Sequence, residues 1–233
     1  MNHESSCITL AGEKFVCLPE RALWWPSGRM LLVADVHLGK ADSLRAKGMP
    51  VPNGHNADDL EVIAGLMRRL QAQRLVVLGD WVHDRASLTH SLDAELARFR
   101  ARLDGASLAI VMGNHDRKAR LSAERWGFAV HAERLRVGDI ECVHAPPADL
   151  TAPDALERPM IAGHLHPSVR LSGSRDGVRL PCFWRRERLL VLPAFGRLTG
   201  TMSLRLEAGD EVILIAGNRL VHHRPGRDAR TNA

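Results

Sequence analysis

The sequence predicts an α/β protein in which two β-sheets pack together with helices outside. Three observations predict it. Short apolar runs alternate with segments of helical periodicity through the first half of the chain. After Trp126 the pattern turns to closely spaced strand-like runs. Carboxylate, imidazole and amide residues stand directly after successive strands, where the loops of an open α/β sheet converge.

The elements follow in chain order. Met30–Ala34 (MLLVA) is too short for a helix and reads as a buried strand ending at Asp35. Asn56–Leu70 places Leu60, Ile63, Leu66, Met67 and Leu70 on one helical face. Leu75–Leu78 is a second buried strand, ending at Gly79-Asp80, and Leu92–Leu103 returns to helical spacing through Leu92, Leu96, Phe99 and Leu103. Leu108–Met112 then ends at Gly113. Strands alternating with helices in this way form a sheet with crossover connections. Strand-like runs follow at Phe128–His131, Leu135–Val137, Ile140–His144, Met160–Ala162, Ser168–Leu171, Val178–Trp184, Leu189–Leu192 and Val212–Ala216. Gly, Pro and Asp punctuate them. Residues 145–158 are a Pro-rich connection inside one domain spanning 1–220, and 221–233 are expected to form a basic, flexible tail. No internal repeat at solenoid spacing is visible.

Composition narrows the setting. With 233 residues, 45% hydrophobic and 25% charged, the chain is neither collagen-like, nor a disulfide scaffold, nor wholly disordered. No run approaches the roughly 20 apolar residues of a membrane-spanning helix, and no basic segment followed by an apolar core marks a secretory leader. Cys7, Cys17, Cys142 and Cys182 are scattered without a C-x-x-C pair, as thiols in a reducing cytoplasm would be. The net charge of +5 favours polyanions, nucleic acid first. An Arg-rich codon bias is the competing explanation, since Lys14, Lys40, Lys47 and Lys118 are the only lysines.

The chemistry is concentrated at the strand ends. In order these carry Asp35-Val36-His37, Gly79-Asp80, Gly113-Asn114-His115-Asp116, His144, and Gly163-His164-Leu165-His166. One such fragment is commonplace; an ordered series in the same structural context is a signature. Carboxylate oxygens, imidazole nitrogens and one amide carbonyl suit divalent manganese first, with iron, zinc, nickel or magnesium as alternatives. The absence of cysteine there argues against a structural zinc site. Asp80, alone between a Gly turn and apolar neighbours, is the natural bridge between two ions.

This ordered run resembles the calcineurin-like metallophosphoesterase superfamily over about residues 30–200. The resemblance implies a four-layer αββα sandwich of two mixed sheets, with a binuclear metal centre. It assigns Asp35, His37 and His166 to one ion, Asn114, His144 and His164 to the other, and Asp80 to both. His115 becomes the acid that protonates the leaving oxygen or steadies the transition state. Two departures stand out. The family's second acid in G-D-x-x-D-R is His83 here, with Asp84 one residue late, so the group that orients His115 is open. Asp116 replaces the Glu of G-N-H-E. Leu31–Gly54 and Pro193–Gly200 (PAFGRLTG) are similar to the ligase-associated DNA damage response endonuclease (PdeM) branch. That likeness implies DNA as the partner, with DNA ligase or helicase repair proteins as further candidates.

Lys40, Arg45 and Arg117 are candidate phosphate holders, and the alternative for Lys40 and Arg45 is ordinary solvated charge. Trp24, Trp25 and Trp81 either stack on unpaired bases or fill the core. Three functions compete. The first is a poorly sequence-specific endonuclease of DNA repair, favoured by basic charge and by the lack of a large lid insertion. The second is a phosphoesterase or pyrophosphatase of nucleotides or cyclic nucleotides. The third is a non-catalytic scaffold of the same fold, which the complete set of candidate ligands disfavours.

Overall fold

The computed structural model describes residues 6–52, 54–116, 120–149, 156–172 and 177–224. The chain opens with an antiparallel meander of β1 (Ser6–Leu10), β2 (Glu13–Cys17) and β3 (Leu23–Trp25), which pairs onto β4 (Met30–Val33). After α1 (Lys40–Ala46) and α2 (His55–Arg69) come β5 (Arg74–Leu78), α3 (His90–Ala101), β6 (Ser107–Val111), α4 (Arg120–Arg125) and β7 (Phe128–His131). Strands β4 to β7 are parallel neighbours, so the first sheet runs β1 to β7 in simple order. The meander lies outside the expected elements: its strands are three to five residues long, too short for a period to register.

The second sheet is built from β8 (Arg134–Val137), β9 (Ile140–Val143), β10 (Met160–Ala162), β11 (Pro167–Ser172), β12 (Gly177–Arg186), β13 (Leu189–Val191), β14 (Met202–Ser203), β15 (Glu211–Ala216) and β16 (Arg219–His223). Its path is β14-β11-β12-β13-β10-β9-β8, with β15 and β16 joined through β12. Parallel pairs β9–β10 and β10–β13 sit among antiparallel ones, so both sheets are mixed.

Side-chain alternation makes the layers. Leu31, Val33, Leu75, Val77, Leu108 and Ile110 pack with Leu60, Ile63, Met67, Leu92, Leu96 and Phe99 of the helices. The residues between them, Met30, Leu32, Val76, Leu78, Ala109 and Val111, face Cys142, Ile161, Phe183, Leu190, Ile213 and Ile215 of the second sheet. Central strands buried on both faces read as unbroken apolar runs, which is why β4, β5 and β6 were legible. The Thr89 hydroxyl accepts the Leu92 N–H at 3.2 Å and starts α3. The outer face of the second sheet gathers Val143, Ala162, Cys182, Trp184 and Val191 under Leu204 and Leu206.

The expected tail boundary at 221 falls inside β16, which pairs with β15 from Val212↔His223 to Ala216↔Arg219. Only Leu220 of this edge strand is buried, so its composition looks like that of a solvated tail. The rest of the expected tail, from 225, lies outside the described residues.

Candidate metal centre

The carboxyl ends of β4, β5 and β6 meet those of β9 and β10 at one edge of the sandwich. The main chain there is unusual. Asp35, His37, Asp80, His164 and His166 have φ of 54°, 53°, 50°, 68° and 48°, the left-handed region that side chains other than glycine rarely adopt. Each such residue costs about 1–3 kcal/mol and persists only where its surroundings hold it. The loops hold one another. The His164 N–H donates to Asp35 Oδ2 at 2.8 Å, the His37 N–H to the Asp80 carbonyl at 2.8 Å, and the His115 N–H to Asp80 Oδ1 at 3.0 Å. Two glycines make the approach possible. A Cβ on Gly79 would overlap the His144 ring, and one on Gly113 would overlap the Asp80 carboxylate.

Two groups of donor atoms that include a carboxylate result, and His37, His83 and His115 form a third made of imidazoles alone. Asp35, His37 and His166 form one, with His166 Nε2 at 3.3 Å from Asp35 Oδ1. Asp80, His144 and His164 form the other, with His144 Nε2 at 3.0 Å from both His164 Nδ1 and Asn114 Oδ1. Asp80 reaches into both. Its Oδ2 is 3.8 Å from His37 Nε2, and its Oδ1 is 3.7 Å from His144 Nε2.

The donor set fits divalent cations on observations internal to the fold. His144 Nδ1 lies 3.0 Å from the Leu78 carbonyl, so a neutral ring places its one proton there and leaves a lone pair on Nε2. That lone pair faces the Asn114 oxygen at 3.0 Å, a meeting of two acceptors that a cation relieves. His166 is oriented the same way, with Nδ1 at 3.1 Å from the Gly200 carbonyl and Nε2 toward Asp35. Asp35 Oδ1, His37 Nδ1 and His166 Nε2 are buried without a hydrogen-bond partner among the described residues. Burial pushes the His37 imidazole down to about 2, helped by the charge of Lys40 and by the rings of His115, His166 and His83. His164 is lowered for the same first reason, and then by His144. Both rings are therefore uncharged at neutral pH, the form that binds metal.

His115 stands over this edge. Its Nδ1 hydrogen-bonds the His83 carbonyl, its Nε2 is 4.0 Å from Asp80 Oδ2, and its side chain is 37% exposed. The His83 ring stacks on it with centroids 5.5 Å apart and planes 18° apart. The group that orients His115 is thus a backbone carbonyl. Asp84 is occupied elsewhere: its carboxylate accepts from the Ser87 N–H and hydroxyl, both at 2.8 Å, and caps the short turn at Arg85–Ser87. Asp116 ties β5 to β6, accepting from the Val82 N–H at 3.2 Å and the Gly113 N–H at 3.1 Å. Burial raises its carboxyl to about 6.

The basic candidates separate. Lys40 opens α1 beside the centre, its ammonium lowered by burial and raised again by the Asp80 charge. Arg45 is turned to its own loop, donating to the Val51 and Pro52 carbonyls at 3.3 and 2.9 Å and pairing with Asp42. These partners anchor the loop after α1 rather than present a free guanidinium to phosphate. Arg117 lies outside the described residues. Arg185 and Arg186 are paired with Glu211 and Asp210. Trp81 and Trp25 are core residues, Trp81 packing on Phe99 and Phe128. Neither offers a stacking platform; Trp24 is half-buried.

The calcineurin-like phosphoesterase family model matches residues 28–174, which contain every residue of both donor groups. Among solved structures, the Pseudomonas putida nuclease MPE is similar, with a TM-score of 0.79 and 28% identity over 94% of this chain and 100% of that one. Its architecture matches the two mixed sheets with helices described above. A protein of unknown function from Aquifex aeolicus aligns at a TM-score of 0.41 and 20% identity, over 59% of this chain and 78% of that one. The E. coli phosphoesterase Yfce aligns at 0.43 and 14%, over 82% and 96%. No curated protein matches the chain.

Proposed function

The chain belongs to the calcineurin-like phosphoesterase family, and from that premise we propose that it cleaves phosphodiester bonds in DNA. It is a metal-dependent phosphoesterase. The proposal adds that the substrate is DNA, cut with little regard to sequence, and that the setting is repair in the cytoplasm. The single observation that carries the catalytic reading is Asp80, held between two donor groups with one oxygen toward each.

Asp35, His37 and His166 would hold one ion, Asn114, His144 and His164 the other, and Asp80 both. We take manganese as the resident metal, on the mixed oxygen and nitrogen character of the set. Divalent cations held there supply a Lewis acid for the phosphoryl oxygen and acidify water. The chain's own contribution is positional. The His83 carbonyl fixes His115 Nδ1 and aims Nε2 at the space above Asp80. With a second proton on Nε2, His115 donates it to the departing oxygen. Lys40 adds positive charge beside Asp80, where a phosphate would sit.

Three observations support DNA. The similar Pseudomonas putida protein is a nuclease, the chain carries a net charge of +5, and among the described residues His164 is exposed and His115 half-exposed. Contacts made to phosphate carry no sequence code, hence the expected indifference to sequence. The repair setting rests on the likeness of Leu31–Gly54 and Pro193–Gly200 to the ligase-associated branch, which makes DNA ligase or helicase repair proteins the partners to seek. The four cysteines stand unpaired, in keeping with a reducing compartment. No helix among the described residues is long and apolar enough to cross a membrane.

The experiment is a panel: purified protein with Mn²⁺ against supercoiled plasmid, single-stranded DNA, and mono- and cyclic nucleotides. Nicked and linearised plasmid, absent with Asp80→Asn, is the expected result. Hydrolysis confined to nucleotides would replace the DNA reading with the small-molecule one.

A further inference from the structure

A cavity of about 500 Å³ lies away from the donor groups, bounded by the turn between β2 and β3, the first half of α2 and the turn between β15 and β16. Arg21 and Arg197 line it together, with Val62 and Pro181 as apolar wall and Asn218 at the rim of the last turn. Arg21 has φ 65°, a left-handed conformation in a turn closed by its own N–H on the Leu18 carbonyl at 3.0 Å. Glycine or asparagine is the ordinary residue there, so a large cation is held at a conformational cost. Its Nη1 donates to the Ala194 carbonyl at 3.4 Å.

Asp59 is the lining carboxylate whose charge acts on both guanidiniums. Burial, followed by the like charge of Arg197, lowers Arg21 from its ordinary range. Of the carboxylates in the lining, Glu20 pairs with Arg69 at 2.8 Å. Asp59 makes no ion pair within 4 Å to either arginine among the described residues, and burial pushes its carboxyl up to about 7. The cavity also touches the catalytic edge through the main chain. Arg197 follows Gly196, whose N–H donates to the Asp35 carbonyl at 3.2 Å, and the Phe195 N–H donates to Ala34 at 2.8 Å.

We propose that Arg21 and Arg197 form a second phosphate-binding site, which holds the phosphate of a nucleotide unit with its sugar or base against Val62 and Pro181. This deepens the DNA reading and rests on it for the source of that unit, a strand engaged at the metal centre. A free mononucleotide offers the same chemistry.

The test uses the manganese-loaded full chain, with AMP and a hydrolysis-resistant phosphorothioate dT12 as probes, titrated calorimetrically at several salt concentrations. Arg21→Gly accepts the left-handed backbone, and Arg197 is exposed, so Arg21→Gly/Arg197→Ala is expected to melt like the parent. The single Arg197→Ala variant serves if it does not. The double variant is expected to bind dT12 about tenfold or more weakly. Its plot of log affinity against log salt is expected to be shallower by about 0.7, the share of one phosphate contact on a single strand. Weakening of AMP alone upholds the site with a free nucleotide as its ligand, and weakening of dT12 alone upholds it with a strand. Unchanged affinity and salt slope for both probes would overturn it. Plasmid nicking by the parent protein judges the DNA reading separately.

Discussion

A single methyl group at Gly79 tests how the second half of the metal centre is built. Gly79 has φ 76°, and a Cβ there would overlap the His144 ring and lie 2.9 Å from the Gly113 main chain. In Gly79→Ala the left-handed backbone alone costs about 1–2 kcal/mol. Displacing His144 also breaks its bond to the Leu78 carbonyl, worth about 0.5–1.5 kcal/mol. The expected loss of about 1.5–3.5 kcal/mol lowers Tm by about 3–14 °C for a chain of this size. The more telling readout is metal content. His144 leaves the group it forms with Asp80 and His164, while no side-chain atom of Asp35, His37 or His166 is among those nearest the added Cβ. Gly79→Ala is therefore expected to bind one equivalent of Mn²⁺ tightly where the parent binds two, as measured by elemental analysis after dialysis. A folded variant that keeps two equivalents at the parental melting temperature would refute this account of the site.

Other expectations follow from the same geometry. His115→Gln should keep its metal, because the ring contributes to neither donor group built on Asp35 or Asp80, yet slow turnover by about 10²–10⁴-fold on substrates with poor leaving groups; loss of metal would show that His115 is a ligand instead. Chelated protein should gain stability as Mn²⁺ is restored, by about 2.7 kcal/mol per site at a hundredfold excess over Kd, and a melting curve indifferent to Mn²⁺ would contradict both sites. Asp59 keeps its proton in the fold up to about pH 7, whereas the unfolded chain releases it near 4, so stability contributed by this group falls as pH rises across that window. The penalty above the window is at most about 4 kcal/mol. Asp59→Asn should thus melt higher than the parent at pH 8 and the same at pH 3.5; a lower melting temperature at pH 8 would refute the assignment.

Much of the site was legible because its side chains follow strands buried on both faces. The runs at Met30, Leu75 and Leu108 announce β4, β5 and β6, and the next polar residues are then at the sheet edge by necessity. The meander β1–β3 and the edge strand β16 escaped notice because their pairing, not their period, makes them strands. Arg45 illustrates the same limit in a side chain: its charge marks it as a phosphate holder, and only the folded loop shows its donors committed to Val51, Pro52 and Asp42.

From residue identity alone came the donor chemistry, its order along the chain and the two packed sheets that present it, because each depends on side chains and on spacings of a few residues. What orients His115 was decided only by tertiary structure. Its partner is a main-chain oxygen 32 positions away in sequence, and every residue carries such an oxygen, so no letter of the sequence marks it. The division of donors into two groups around Asp80 was decided the same way, by the closeness that Gly79 and Gly113 permit between loops far apart in the chain.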